Sequence, residues 1–132
     1  MVVHKGAKFM YTILFYEDKD GKSELNDQLD ELLSKSETDK NARIQYKQIS
    51  LYIELLAEHG KNNPTNITKQ LDRNIWELRP GRNRVLYFYY MNNTYFLLHM
   101  FIKKTKKTPK SEIEKANRER IDFIARNGGT EK

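Results

Sequence analysis

The chain has 132 residues, of which 38% are hydrophobic, and it contains no cysteine. A chain of this length is typical of one domain, so we expect residues 1–132 to form a single small domain with short flexible ends at 1–7 and 127–132. The lack of cysteine excludes disulfides, zinc–thiolate sites and cysteine catalysis. Neither a secretory signal nor an apolar run near the roughly 20 residues that span a bilayer is visible, which predicts a cytoplasmic protein without a membrane partner.

The charged residues are unevenly distributed along the chain. It carries 24 Lys and Arg against 18 Asp and Glu, a formal net charge of +6. Acidic side chains dominate between Glu17 and Asp39, whereas Arg and Lys dominate between Arg79 and Lys110. A basic segment of this kind favours a partner that carries phosphate groups.

The first half of the chain predicts one strand followed by two helices. Residues 9–16, FMYTILFY, are β-branched, apolar or aromatic and predict a strand. Leucines then recur at helical spacing behind Ser23, a suitable helix cap, and predict one apolar face. These are Leu25, Leu29, Leu32 and Leu33. A second helix is predicted from about Asp39 to His59, where Gly60 supplies the left-handed residue that often ends a helix. Its inward face would consist of Ile49, Tyr52, Ile53 and Leu56.

The second half predicts a three-stranded meander followed by a helix. After a turn around Pro64, strands are expected over Ile75–Arg79, Val85–Met91 and Tyr95–Ile102, with turns at Pro80–Gly81 and Asn92–Asn93. Thr108 is expected to cap a last helix that opens with Pro109. This helix would bury Ile113, Ala116, Ile121 and Ile124 and end at Asn127–Gly129. The predicted fold class is α+β, in the order β-α-α-β-β-β-α, with an antiparallel sheet packed against helices.

Two arginines are expected to meet at one end of this sheet. Strand alternation places Trp76 and Leu78 on one face, toward the core, and Glu77 and Arg79 on the other. A short turn would bring Arg84 near Arg79, and a phosphate group would bridge the two guanidiniums. The alternative is a pair of solvated arginines that flank a turn, one of them partly neutralised by Glu77.

The segment KKTKKTPK places a group of lysines where a strand ends and a helix begins. An anion would be attracted to this corner, because the free backbone amides of a helix N-terminus lie beside the lysines. The alternative is a solvated edge that only keeps the protein soluble. The lysines are Lys103, Lys104, Lys106, Lys107 and Lys110.

His99 and the tyrosines of the second predicted strand are further candidates. An unperturbed histidine has a pKa suited to proton transfer, and Tyr87, Tyr89 and Tyr90 would offer flat surfaces to an unstacked base. The alternative for His99 and for most of the tyrosines is a place in the core. No nucleophile elbow, phosphate-binding glycine loop or metal-spaced cluster of His and carboxylates is visible, so metal-independent chemistry without a cofactor is expected.

RNA offers one such chemistry, because its 2′-hydroxyl can attack the adjacent phosphorus. The reaction needs a base, a cation for the developing charge and an acid for the leaving oxygen, and Lys and Arg can supply much of this. A cluster without a well-placed His or Glu would contain only a weak base. We therefore expect such an enzyme to depend on positioning of its substrate by a larger assembly.

The blocks IWELRPGRNRVLYFYY and FLLHMFIKKTKKTP, followed by a charged helix, resemble the RelE/HigB branch of the RelE/ParE toxin superfamily, particularly its phage-derived Gp49-like group. The resemblance spans roughly Arg73 to Ile124. It implies a RelE-like α+β domain that acts as the toxin of a type II toxin–antitoxin system by cleaving messenger RNA, in many relatives on the ribosome. It also implies a cognate antitoxin, usually a helix-turn-helix protein, with DNA bound only through the antitoxin complex.

The resemblance also implies roles for individual residues. By motif position, Arg79 and Arg84 would bind and stabilise the scissile phosphate, while Lys103, Lys104 and Lys106 would supply proton transfer and backbone contacts. RNA binding would further involve Arg82, Lys107, Tyr87 and His99. Three alternatives stay open: a ParE-like toxin that poisons gyrase, a nucleic-acid-binding module without catalysis, and an inactive remnant.

Overall fold

The computed structural model describes residues 10–128. Phe9 of the predicted first strand, the predicted flexible end at 1–7 and residues 129–132 of the one predicted at 127–132 lie outside the described residues. The described chain forms five strands and three α-helices, with one 3₁₀ turn at Gly60–Asn62. In chain order these are β1 (Thr12–Phe15), α1 (Glu24–Lys35), α2 (Lys40–His59), β2 (Thr68–Gln70), β3 (Trp76–Leu78), β4 (Asn83–Tyr89), β5 (Thr94–Ile102) and α3 (Lys110–Arg126).

The strands form one sheet in the order β1-β5-β4-β3-β2. The predicted meander is confirmed, because β3 pairs with β4 and β4 with β5 in antiparallel fashion. Two features differ from the prediction. β1 joins β5 in parallel. α1 and α2 carry the chain from β1 to β2 at the far edge of the sheet, and three successive antiparallel pairings then bring β5 back beside β1 in the same direction. The short β2, which extends the sheet beyond β3, was not predicted because its Lys69 and Gln70 are polar and exposed.

Helices cover both faces of the sheet, so the domain has three layers. The predicted α+β fold class is confirmed. α1 and α2 pack on one face, where Leu25, Ile49 and Leu56 are fully buried against Leu78 and Leu97. Trp76 packs on this cluster from a partly buried position. The opposite face carries α3, whose Ala116 is buried with the side chains of Ile75, Leu86, Phe88, Phe96 and Leu98.

Two helical residues predicted to face inward are exposed. Leu33 of α1 is 48% exposed and Ile121 of α3 is 57% exposed. Leu33 lies at the margin of the buried face near the end of α1, whereas Ile121 lies five positions after the buried Ala116 and so points well away from the face of α3 that contacts the sheet. The predicted inward faces are therefore too wide, whereas Leu25, Leu29 and Ala116 are buried as expected.

The helix ends follow the predicted capping residues in α1 and α2 but not in α3. The hydroxyl of Ser23 accepts from the backbone N–H of Asn26, and Gly60 has a φ of 58° at the end of α2. Thr108 is not the cap of α3: Pro109 occupies that position, and the hydroxyl of Thr108 points to the sheet instead.

Candidate functional site

One end of the sheet collects the predicted arginines and lysines. β3 and β4 pair so that Leu78 is opposite Val85, which makes Arg79 and Arg84 the next facing positions around the Pro80–Gly81 turn. β5 ends at Ile102 beside the same turn, and the segment from Lys103 to Pro109, the lysine loop, leads from it to α3. The backbone N–H of Lys103 donates to the carbonyl of Arg82, which fixes the start of the loop.

A cavity of about 220 Å³ lies between this loop and the face of the sheet that carries α3. We call it the basic cavity. The charged side chains that line it are Lys69, Glu77, Arg79, Arg84, Lys103, Lys106 and Lys107. An adjoining, more open depression of about 330 Å³, the basic hollow, shares three of these residues. Its charged lining consists of Arg82, Arg84, Lys103, Lys104 and Lys106.

The five predicted catalytic residues are thus neighbours. Arg79, Arg84, Lys103 and Lys106 line the basic cavity, and Lys104 lines the basic hollow beside them. Of the four further predicted RNA-binding residues, Lys107 lines the cavity and Arg82 the hollow. Such a concentration of cations around one concave surface attracts anions, and phosphate groups above all.

A buried carboxylate lies between the two arginines. Glu77 is 2% exposed, and its Oε2 lies 3.4 Å from Nε of Arg79 and 4.0 Å from Nε of Arg84. Sequence analysis anticipated that Glu77 would neutralise one arginine, but it did not include Glu77 in the site. The negative charge offsets part of the repulsion between the guanidiniums, which explains how two arginines can be held so close together.

Arg84 is the more strongly fixed of the two arginines. It is 6% exposed, and its Nη1 donates to the carbonyls of Gly81 at 2.7 Å and Asn83 at 2.8 Å. Burial lowers the pKa of Arg84 below its usual value; Glu77 raises it and Arg79 lowers it further. The carbonyls and Glu77 hold the guanidinium in one orientation at the wall of the cavity.

Tyr87 does not reach the site. Its ring is fully buried on the α2 side of the sheet, and its hydroxyl lies 2.6 Å from the hydroxyl of Thr68. Burial raises the pKa of the Tyr87 phenol. The prediction that Tyr87 offers a flat surface to a base is wrong for this structure, because strand alternation turns its side chain away from Arg84 and into the core.

His99 is buried as well, so the prediction that it contacts RNA is also wrong. Its Nδ1 lies 2.6 Å from Oε1 of Glu119, and its Nε2 lies 2.9 Å from Oε1 of Glu112, both on α3. Its side chain is 1% exposed, whereas those of Glu112 and Glu119 are 27% and 14% exposed. His99 therefore joins α3 to the sheet through two carboxylates, a partnership that no sequence pattern indicated.

A β-bulge explains this orientation of His99. Leu86 pairs with His99 and Tyr87 with Leu97, so Leu98 is an extra residue in β5. Without the bulge, His99 would share the α2 side of the sheet with Leu97. The extra residue turns two consecutive side chains, Leu98 and His99, toward α3.

The chemistry of the site is that of an anion-binding surface. Within residues 10–128 no group of three or more His, Asp or Glu side chains is placed to hold a metal ion. The same part of the chain contains no helix long and apolar enough to cross a membrane. The arginines can hold a phosphate group, and the ammonium groups of the lysine loop can donate protons to it.

Comparison with the sequence models of protein families gives a match. The sequence model of a family described as phage derived protein Gp49-like (DUF891) matches residues 25–120. This range includes α1 without its first residue, the whole of α2 and of β2 to β5, the lysine loop and most of α3. None of the curated proteins compared with the chain matches it.

Proposed function

Because the chain belongs to the Gp49-like family of phage-derived proteins, we propose that it is a toxin that cleaves messenger RNA at its basic cavity. The family lies in the RelE/ParE-like toxin superfamily, and its members are commonly toxins of toxin–antitoxin systems. The nuclease activity, in the manner of the RelE/HigB branch, is the proposed step beyond this membership.

One observation supports the nuclease proposal above all others: two fixed guanidiniums and several ammonium groups converge on one small cavity. Arg84 is held by Glu77 and by two backbone carbonyls, so little side-chain freedom is lost when it binds a phosphate group. Cations that are already in position stabilise the charge that develops on phosphorus oxygens in the transition state. The basic cavity thus has the features expected of a phosphoryl-transfer site.

The proposed reaction is an attack by a ribose 2′-oxygen on the adjacent phosphorus. The O2′–P bond forms as the P–O5′ bond breaks, which leaves a 2′,3′-cyclic phosphate and a free 5′-hydroxyl. Arg79 and Arg84 neutralise the phosphorane, and an ammonium group from Lys103, Lys104 or Lys106 protonates the leaving 5′-oxygen. A neutral lysine of the same set accepts the proton of the 2′-hydroxyl.

A lysine is a weak base near neutral pH because only a small fraction of it is unprotonated. This chemistry therefore depends on a substrate held in line for attack, which is why we propose that the ribosome presents the message. A cognate antitoxin is implied by the toxin family. We propose that it is a helix-turn-helix protein and that DNA is bound through the complex of the two proteins.

Inducible expression in a bacterium tests the proposal. We compare the wild type with Arg84→Ala and Lys104→Ala, and use Lys47→Ala, an exposed lysine of α2, as the matched control. New 5′ ends are mapped on translated and untranslated messages. The proposal expects growth arrest with cuts confined to translated messages, lost in the two site variants and kept in Lys47→Ala.

Other outcomes would identify a different function. Growth arrest with intact messages would overturn the nuclease assignment and favour gyrase as the target, as for the ParE branch. Salt-dependent RNA binding by the purified protein, without cleavage products on ribosomes or free RNA, would instead indicate a binding module.

A further inference from the structure

Two exposed isoleucines from different parts of the chain line one cavity beside the basic hollow. Ile44 of α2 is 52% exposed, and Ile102 at the end of β5 is 55% exposed. The cavity that they share has a volume of about 380 Å³. A single exposed apolar residue is ordinary on a protein surface, whereas several of them around a concavity are typical of a site that binds a partner. We call Ile44, Ile102 and the cavity between them the isoleucine patch.

Among the described residues, the lining of the isoleucine patch contains neither an acidic nor an aromatic side chain. Apart from the two isoleucines it consists of amide side chains, a glycine and one cation, which are Asn41, Gln45, Gln48, Asn83, Gly81 and Arg82. Leu51 is also exposed and lies seven positions after Ile44, on the same face of α2, so it extends the apolar surface along the helix. Because its lining has no aromatic ring, the patch offers no stacking surface to an RNA base.

The isoleucine patch adjoins the basic hollow, where exposed cations lack partners. Gly81 and Arg82 line both surfaces. The side chains of Arg82 and Lys104 are exposed, and neither makes an ion pair or a hydrogen bond within residues 10–128. Every charged side chain that lines the hollow is a cation. An apolar surface that borders unpaired cations fits a partner in which apolar side chains lie next to carboxylates.

The carboxylates nearest to Ile102 do not neutralise these cations. Ile102 and Lys104 also line a cavity of about 590 Å³ between α1 and the start of α3, together with Glu31 and Glu112. Glu31 forms an ion pair with Lys35 at 3.0 Å, and Glu112 lies 2.9 Å from the buried His99. Both carboxylates are therefore engaged within the chain, and Arg82 and Lys104 stay available to carboxylates of a partner.

We propose, on the basis of the function proposed above, that the isoleucine patch binds an acidic, amphipathic segment of the cognate antitoxin. Apolar side chains of this segment cover Ile44 and Ile102, and its carboxylates pair with Arg82 and Lys104. The carboxylates occupy the basic hollow and exclude an RNA phosphate from it. The antitoxin thus blocks the substrate from the side of the hollow, without filling the basic cavity around Arg84.

The composition of the surface favours an acidic protein segment over two other occupants. RNA would satisfy Arg82 and Lys104 with its phosphates, but it would leave the aliphatic side chains of Ile44 and Ile102 without an apolar partner. A second copy of this chain would bring its own Arg82 and Lys104 to the same place, and each copy has a formal net charge of +6. Like charges would then face each other across a symmetric interface.

Calorimetric titration of the full chain with the purified antitoxin tests the apolar contacts. We expect Ile44→Ser and Ile102→Ser each to weaken binding about tenfold, roughly 1.4 kcal/mol. Ile121→Ser is the matched control, because Ile121 is an equally exposed isoleucine on α3, and it should bind like the wild type. All three side chains are exposed, so the substitutions should leave the fold intact, which urea denaturation checks.

Overlapping synthetic peptides that cover the antitoxin sequence test the charged contacts. One acidic peptide should bind the chain, and its affinity should fall about tenfold in Arg82→Ala and in Lys104→Ala. Lys19→Ala, at an exposed lysine that lines neither the patch nor the hollow, should not change it. The same peptide with amides in place of its carboxylates should bind the wild type at least tenfold more weakly.

Co-expression connects binding with neutralisation. The antitoxin should relieve the growth arrest caused by the wild type and by Ile121→Ser. It should fail to relieve the arrest caused by the double variant Ile44→Ser and Ile102→Ser, which should keep its RNA cleavage because neither isoleucine contacts the basic cavity.

The proposal is overturned if the two patch variants bind the antitoxin as tightly as Ile121→Ser does, or if the peptide that binds is not acidic. It is also overturned if Ile44→Ser and Ile102→Ser weaken binding of RNA and leave that of the antitoxin unchanged, which would make the patch part of the RNA site. Patch-dependent binding of the antitoxin without RNA cleavage by the free chain would keep this proposal and overturn the nuclease function alone. Cleavage without patch-dependent binding would do the reverse.

Discussion

The hydroxyl of Thr108 donates a 2.5 Å hydrogen bond to Oε1 of Glu77, although 31 positions separate the two residues in the chain. Glu77 belongs to β3, and Thr108 lies at the end of the lysine loop. The same carboxylate uses its other oxygen to hold Arg79 and Arg84. One buried side chain therefore connects the arginines of the sheet with the loop that supplies the lysines.

Removal of the Thr108 hydroxyl should loosen the lysine loop. We expect Thr108→Val to lower RNA cleavage about tenfold, while the free energy of unfolding falls by only about 1 kcal/mol, the net value of one hydrogen bond. Thr108→Ser keeps the hydroxyl and should restore activity. Cleavage rates and urea denaturation of the two variants, with Thr38→Val as an exposed control, test this. Equal activity of Thr108→Val and the wild type would contradict the role of the bond.

Glu77 should have opposite effects on stability and on anion binding. We expect Glu77→Gln to reduce the free energy of unfolding by about 3 kcal/mol, because it leaves two guanidiniums close together without their counter-charge. The same change should raise the affinity for inorganic phosphate, since a competing negative charge is lost. Urea denaturation and phosphate titration measure the two effects, and Glu37→Gln is the exposed control. Weaker phosphate binding by Glu77→Gln would contradict the prediction.

His99 should stabilise the packing of α3 on the sheet. In His99→Leu the carboxylates of Glu112 and Glu119 lose the shared partner that each contacts within 3 Å, and they remain partly buried beside an apolar side chain. We expect the free energy of unfolding to fall by about 3 kcal/mol, because two partly buried carboxylates each lose a hydrogen-bond partner. His59→Leu, at an exposed histidine, is the matched control for urea denaturation. Similar losses in His99→Leu and His59→Leu would show that the contacts of His99 with the two carboxylates contribute little to the free energy of unfolding.

Asp72 makes the stability of the fold sensitive to acid. Its carboxylate accepts from the backbone N–H groups of Asn74 and Ile75 and from the side-chain amide of Asn117 on α3. Burial by itself raises the pKa of Asp72, but these hydrogen bonds outweigh burial and hold the pKa below its ordinary value of 3.8.

A folded-state pKa below the unfolded value means that ionised Asp72 stabilises the fold above about pH 4, and that this contribution is lost as the pH falls through the folded pKa. We expect the free energy of unfolding of the wild type to fall more steeply below about pH 4 than that of Asp72→Asn. Denaturation curves between pH 7 and pH 2, with Asp30→Asn as control, measure the slopes. Parallel slopes for the wild type and Asp72→Asn would contradict the prediction.

Much of the fold and part of the site could be predicted from local patterns. Alternation alone placed Leu78 in the core and Glu77 on the opposite face, and the short Pro80–Gly81 turn predicted that Arg79 and Arg84 would be close. The position of the lysines directly after β5 placed them at the same end of the sheet. These features depend on neighbours within a few positions along the chain, so they can be predicted without knowledge of the fold.

Other features depend on contacts between distant segments and could be found only in the folded structure. The bulge at Leu98 shifts the register between β4 and β5, and this shift turns His99 toward carboxylates 13 and 20 positions away. Glu77 enters the site because the lysine loop folds back over β3 and excludes water from its carboxylate. Alternation and spacing describe a chain segment by segment, whereas burial and ion pairing arise only when the segments pack together.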